Sequence, residues 1–240
     1  MLQQRTYTYA CARTIKLFGI AILLLCAVLP ASAQKKKVVA EPDTIPLFRG
    51  VQVSYDLMGT IMRAVSDYGQ YEAAVRVNLK DRFFPTVELG YGSSEHNPDG
   101  SSVIHATTNA PYFRIGCDMN VAKKKHDDYR IFIGLRYGFT AFTFKADADV
   151  TDPVWGNTAS YKIEESGCNY HWGEFLFGVD AKICGPLRLG WTVRYRAPLS
   201  TNEGQSGQIW YVPGFGKRGN KIGGTFNVIF ELGNNKKKKG

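Results

Sequence analysis

The chain has 240 residues, 44% of them hydrophobic and 13% aromatic, and a formal net charge of +9. This composition excludes a wholly disordered polypeptide, and the length suits one medium domain. The charge is terminal: Arg5, Arg13, Lys16, Lys35 to Lys37 and Lys236 to Lys239 are ten cations, and taking ten from +9 leaves a body at −1. That excludes a nucleic-acid groove, which would need its Lys and Arg on one folded face.

Residues 1–16 are polar and carry only positive charge, Leu17 to Leu29 form an apolar run, and Pro30-Ala31-Ser32-Ala33 supplies small residues before Gln34. This three-part pattern predicts a secretory signal over residues 1–33, cleaved between Ala33 and Gln34. The apolar run is too short to be a membrane-spanning helix, which takes about 20 residues. Leu25, where a lipoprotein signal needs a small residue before its cysteine, argues against lipidation at Cys26. Residues 34–47 then form a periplasmic segment, 48–233 the folded domain and 234–240 a Lys-rich periplasmic tail. Export leaves Cys117, Cys168 and Cys184 in a compartment that permits disulfides. One bridge at most is possible among them and none is demanded; free thiols are the simpler reading, and Cys168 and Cys184, at opposite ends of one strand, cannot pair with each other.

Within the domain, apolar residues recur at period two and not at helical spacing, which predicts strands. The first run is Val51, Val53, Tyr55, Leu57 and the second Tyr71 to Leu79, with Glu72, Arg76 and Asn78 on the opposite face. Val87, Leu89, Tyr91 and then Phe113, Ile115, Cys117, Met119 follow, and the fifth run is Tyr129 through Phe139. Phe175, Phe177, Val179, then Leu187 through Tyr195, and finally Ile222 through Leu232 complete eight. The connections alternate in length. Residues 80–84, 122–128 and 183–186 are short turns, whereas 93–109, 146–169 and 197–220 are long and rich in Gly, Asp, Asn and Ser; only 63–69 is brief on that side. This layout predicts an all-β fold, an eight-stranded antiparallel up-and-down transmembrane β-barrel with both termini in the periplasm.

A soluble barrel would show the same period with its faces exchanged. The glycines decide between them: Gly90, Gly92, Gly116, Gly134, Gly138, Gly178, Gly190 and Gly223 share the charged face. Glycine weakens a strand and has no use on a solvated surface, but a narrow lumen filled by long side chains needs the room. The polar face therefore points inward. Its charges are mixed, Arg76, Arg114, Arg130, Arg136, Arg188 and Arg194 against Asp56, Glu88, Asp118, Glu174, Asp180 and Glu231, and they are expected to neutralise one another as a structural ion-pair network that plugs the lumen. Tyr91, Tyr129, Tyr170, Trp172, Trp191 and Tyr195 are expected as interfacial aromatic girdles.

Other motifs carry little. Gly214-Phe-Gly216-Lys-Arg-Gly219 matches a dinucleotide fingerprint letter for letter, but lies between two strands with no helix to follow, so a glycine turn is expected. Asp147, Asp149 and Asp152 resemble the start of a calcium loop, yet Asp152 occupies the glycine position and Thr158 the glutamate position. His96, His105, His126 and His171 show no metal spacing. His171 or His105 near Ser93, Ser94, Ser101 or Ser166 at the outer rim would allow a lipid-modifying enzyme of acyltransferase or lipase type, though no elbow motif marks a nucleophile.

The segments SDYGQYEAAVRVNLKDRFFP (Ser66 to Pro85), APYFRIGCDMN (Ala110 to Asn120), RIFIGLRYGFT (Arg130 to Thr140), TDPVWG (Thr151 to Gly156) and IWYVPGFGKRG (Ile209 to Gly219) resemble a family of uncharacterised outer-membrane β-barrel proteins of the Bacteroidota, a domain of unknown function. The resemblance spans roughly Ile45 to Leu232. It implies an outer-membrane location and no particular chemistry. The expected role is that of a non-enzymatic structural or binding subunit of the cell envelope, without cofactor or metal, in contact with outer-membrane lipid and an envelope protein partner.

Overall fold

A computed structural model describes residues 46–97, 104–123, 127–151, 158–202 and 209–233. The signal segment with Ala33 and Gln34, both lysine tails, Ser101, His126 and Asp152 lie outside the described residues. Eleven elements follow one another: β1 (Phe48–Asp56), α1 (Leu57–Val65), β2 (Tyr68–Leu79), β3 (Phe83–His96), β4 (Ile104–Asn120), β5 (Tyr129–Thr151), β6 (Thr158–Cys184), β7 (Leu187–Asn202), β8 (Tyr211–Val212), β9 (Gly216–Lys217) and β10 (Ile222–Leu232). Eight of them close into a ring, β1-β10-β7-β6-β5-β4-β3-β2, while β8 and β9 pair only with each other. The seam is β1 against β10, antiparallel from Val51 opposite Leu232 to Asp56 opposite Asn227.

Closure leaves no open edge around the wall, a requirement for strands that cross a bilayer. Side-chain placement shows which way the wall faces. Leu89 is 60% exposed on the outside and its neighbour Glu88 is 3% exposed on the inside. Val53, Tyr71, Val87, Ile131, Phe177, Trp191 and Val193 likewise point out, between buried Glu72, Arg130, Gly178, Thr192 and Arg194. Water would oppose such a surface at about 25 cal/mol per Å² of apolar area; hydrocarbon does not. The fold is therefore a transmembrane barrel, and the soluble alternative fails on this arrangement.

Three expectations require correction. First, 93–109 and 146–169 are not long loops. β3 and β4 pair out to His96 opposite Ala106, and β5 and β6 pair out to Thr151 opposite Thr158. With 23 and 27 residues, β5 and β6 far exceed the roughly 9–11 that cross a bilayer, and rise past it as a ribbon. Gly, Asp and Ser were read as loop signals, but a sheet extension in water, in which β4 still pairs with β5 out to Ile104 opposite Ala148, tolerates them. Second, Tyr170 and Trp172 are not girdle residues. They are 4% and 0% exposed, because they lie on the same inward face of β6 as Glu174, Leu176 and Asp180; the register shift beside them skips a residue of β7 and leaves that face unbroken. Tyr91, Tyr129, Trp191 and Tyr195 do face outward.

Third, a helix is present where none was expected. Asp56 stops β1, and its carboxylate accepts hydrogen bonds from the Met58 and Gly59 N–H groups at 3.0 and 3.1 Å, the arrangement of an N-cap. Ser66 closes the other end, its N–H and hydroxyl both donating to Met62 O. Leu57, which continues the alternation of β1 on paper, is already the first residue of α1. Ile61 and Val65 on α1 are strongly exposed, so the helix carries apolar surface at the rim.

Candidate functional site

The lumen holds one continuous lattice of ion pairs, rather than separate bridges. At the end carrying the short turns, Asp81 meets Arg49 at 2.6 Å and Arg130 at 3.3 Å. Glu231 joins Arg130 at 3.0 Å to Arg188 at 3.6 Å. Asp180 continues from Arg188 at 2.6 Å to Arg76 at 3.6 Å. Asp118 links Arg76 at 3.3 Å to Arg136 at 2.8 Å, and Glu88 receives Arg136 at 3.0 Å. Glu88 also binds Arg114 and Arg194 at 3.0 and 2.7 Å. Those two arginines share Glu72, at 2.5 and 3.2 Å, and Glu174, at 3.1 and 3.3 Å. Among the described residues the lattice thus contains seven arginines and seven carboxylates. Equal numbers matter because an unpaired buried charge is far costlier than a paired one.

Of the twelve residues singled out in the sequence, the structure brings eleven into this lattice. Asp56 is the exception: besides capping α1 it accepts the Phe226 N–H at 3.2 Å, so its oxygens serve backbone donors. The charge network expected from the sequence omits Glu72, Asp81 and Arg49, although Glu72 was placed on the polar face of its strand. Glu72 was recoverable, since it lies four positions before Arg76 on the same strand and so on the same face. Asp81 was not, because it sits in the β2–β3 turn, where Lys80 and Asp81 both adopt left-handed φ values of 55° and 53°. Asn78 directs it inward by accepting the Asp81 N–H at 2.8 Å and donating to its carboxylate at 2.6 Å.

Above the lattice, towards the loop end, the lumen becomes aromatic. Tyr112, Phe142, Phe144, Cys168, Tyr170 and Trp172 line the inner wall, and the segment Ile209, Val212 and Phe215 packs among them. The β8–β9 hairpin thus enters the barrel mouth. Tyr211 donates to Gly69 O at 3.2 Å, and burial pushes its phenol well above the usual range, so it acts as a neutral donor. Gly214 lies so close to Tyr112 that a Cβ there would overlap the ring, and Arg114 donates to Gly214 O at 2.7 Å. The two layers interlock: Tyr112 Oη donates to Glu72 at 2.6 Å, Trp172 Nε1 to Glu174 at 2.7 Å, and the Arg114 guanidinium stands 4.7 Å from the Tyr112 ring centroid. Gly214, Gly216 and Gly219 have φ values of 79°, 95° and 90°. The letters that mimic a nucleotide fingerprint are a turn that lets the hairpin fold inward.

The remaining candidates are dispersed. His171 Nδ1 lies 2.6 Å from Tyr137 Oη on the outer wall. His105 lies on the upper ribbon against Asp147 and Glu95, at 3.2 and 3.8 Å, and His96 stacks on Trp210 with ring centroids 4.8 Å apart. Ser94 is buried in the lumen and Ser166 is exposed on the ribbon. Ser200 stands opposite His171 in the β6–β7 ladder, while the partner of His105 across the β4–β5 ladder is Asp147. Cys117, Cys168 and Cys184 are unbridged, and the described residues contain no cluster of His, Cys, Asp and Glu suited to a metal.

Residues 14–237 match the family described as Domain of unknown function (DUF6048), and the chain belongs to that family. None of the curated proteins matches. Among solved structures, the N-terminal beta-barrel domain of Pseudomonas aeruginosa OprF overlaps 77% of this chain and 98% of that chain, at 8% identity and a TM-score of 0.33.

Proposed function

We propose that this member of the DUF6048 family is a non-conducting outer-membrane barrel that serves the cell envelope as a structural or binding subunit. The observation that supports this reading is the lumen itself, filled through its depth by balanced ion pairs and closed at the mouth by the β8–β9 hairpin. Eight strands leave an interior only wide enough for side chains, and here the side chains are tied to one another across opposite walls: Arg194 on β7 reaches Glu72 on β2 and Glu88 on β3. An ion crossing would have to part these pairs at every level. The working surface then lies outside the lumen, on the upper ribbon, the rim and the outer wall. The export signal expected over residues 1–33, and the resemblance of the quoted segments to Bacteroidota barrels, support an outer-membrane location with both termini in the periplasm.

Two measurements test this reading. Purified protein in planar bilayers should show no conductance steps, and regular open-channel steps would overturn the sealed lumen. Mild-detergent purification from the native envelope, followed by mass spectrometry, should return a stoichiometric partner; a lone barrel, together with altered lipid A or phospholipid masses in a deletion strain, would instead favour a lipid-modifying enzyme.

A further inference from the structure

Arg196 stands apart from the arginines of the lattice. It follows Arg194 by two residues on β7, and Glu174 faces it across the β6–β7 ladder, but Glu174 is already engaged by Trp172, Arg114 and Arg194. Arg196 donates from Nη2 to Ile222 O at 3.1 Å, and its Nε is buried without an acceptor among the described residues. No described carboxylate pairs with it. A second cation without a described carboxylate partner, Lys217 on β9, holds Nζ 4.7 Å from the ring centroids of both Tyr68 and Trp210.

Both cations line one cavity of about 240 Å³ at the loop end of the barrel, bounded also by Met58 and Met62 of α1 and by Tyr68 and Tyr211. Glycines keep the space around the guanidinium: a Cβ on Gly223 would come 2.7 Å from Arg196 Nη2, and one on Gly216 3.1 Å from Nη1. Asp56 lines the cavity too, yet its oxygens are turned to the backbone N–H groups of Met58, Gly59 and Phe226. Ile222, exposed on the outer wall, is part of the boundary, so the cavity reaches the barrel rim.

We propose that this cavity binds a phosphate group. A guanidinium offers several N–H donors in a fixed fork and an ammonium adds a compact charge; together, from two different elements, they match the several charged oxygens of a phosphate better than the two oxygens of a carboxylate. The phosphate is carried either by a lipid headgroup at the rim or by a soluble molecule. The inference goes beyond the sealed-barrel reading and is independent of it, because phosphate binding and bilayer conductance are separate measurements.

Calorimetric titration of inorganic phosphate into the detergent-solubilised full chain should show saturable one-to-one binding, weakened at least tenfold by Arg196→Gln and by Lys217→Gln. Lys221→Gln, on the same connection but outside the cavity lining, should leave it unchanged. In nanodiscs, adding phosphatidic acid to phosphatidylcholine should raise the thermal midpoint of the wild type and not of Arg196→Gln if the phosphate is lipid-borne. A shift with inorganic phosphate alone assigns a soluble source. Strand content by circular dichroism verifies folding of each variant, and Lys217→Gln, which lies off the barrel wall, serves should Arg196→Gln misfold. Absence of saturation in both arms, or undiminished binding in a folded variant, would overturn the proposal.

Discussion

Glu88 is the node of the lattice, and neutralising it is the sharpest test of what holds the barrel together. Its carboxylate is 3% exposed and serves Arg114, Arg136 and Arg194 at 3.0, 3.0 and 2.7 Å. Glu88→Gln keeps the shape but leaves the described lattice with seven cations and six anions. Removing one partner of a buried pair costs about 3–5 kcal/mol, mostly because the other charge is left uncompensated. Three guanidiniums are affected here, although Glu72, Glu174 and Asp118 still reach them, so we expect a loss of about 4 kcal/mol. Reversible urea unfolding in detergent or lipid vesicles, followed by tryptophan fluorescence, measures it. The control is Glu164→Gln, whose 3.0 Å pair with Lys145 has both side chains 61% exposed; solvent screening limits that change to about 0.5 kcal/mol. Combining Glu88→Gln with Arg194→Gln should recover about 1–2 kcal/mol relative to additivity, as expected of contacting residues. If Glu88→Gln stays within about 1 kcal/mol of wild type with an unchanged denaturant slope, the lattice is not what stabilises the lumen.

Three further outcomes are expected. Phe177→Arg, at an outward position in the middle of the barrel wall, should cost about 2–4 kcal/mol in the same assay or block membrane assembly outright; normal insertion and stability would contradict the orientation of the wall. A Cβ on Gly138 would overlap the Trp172 indole, so Gly138→Ala should destabilise by about 1–3 kcal/mol through overpacking, and an unchanged denaturation midpoint would show that the aromatic layer has slack. Cys184 is exposed at the turn end, where the barrel's first and last strands also begin and end. A membrane-impermeant maleimide should therefore label it only after the outer membrane is permeabilised, and labelling on intact cells would reverse the proposed sidedness.

The wall was legible in the sequence because its signal is local. Val87, Leu89 and Tyr91 on one face, with Glu88, Gly90 and Gly92 on the other, state the strand and its two environments without reference to any other strand. What the lumen contains beyond charge was not legible in that way. Phe84, Phe132, Leu176 and Ile229 occupy inward positions and are buried: Phe132 and Phe84 flank Arg76 with ring centroids 4.8 and 6.0 Å from its guanidinium, a pairing between strands that alternation within one strand cannot announce. Tyr170 and Trp172 were misplaced although their place was legible: they share the parity of Glu174, Gly178 and Asp180, the inward face of the same strand, and their aromatic character was read as a girdle signal instead. Helix α1 escaped because nine residues are too few to establish a period of 3.6, and only the cap at Asp56 marks where β1 ends.

The contents of the lumen also explain why the loop end, rather than the pore, is where activity should be sought. From Asp81 to Glu88 each carboxylate has an arginine on either side, so this stretch of the lumen is spent on cohesion. The balance changes above Glu174. The interior there is filled by rings and by a hairpin that must fold in from outside, and the strands of the β5–β6 ribbon continue well past the membrane. Arg196 and Lys217 sit where the charged and aromatic layers meet, and neither has a described carboxylate partner. A protein selected only to close its own lumen would gain by placing an acid beside them, as it does at the other end, where Asp81 of the β2–β3 turn meets Arg49 of β1. Rings and a carbonyl compensate these two cations only in part; leaving them without a described carboxylate beside a cavity is a standing cost in stability, and an incoming anion would relieve it.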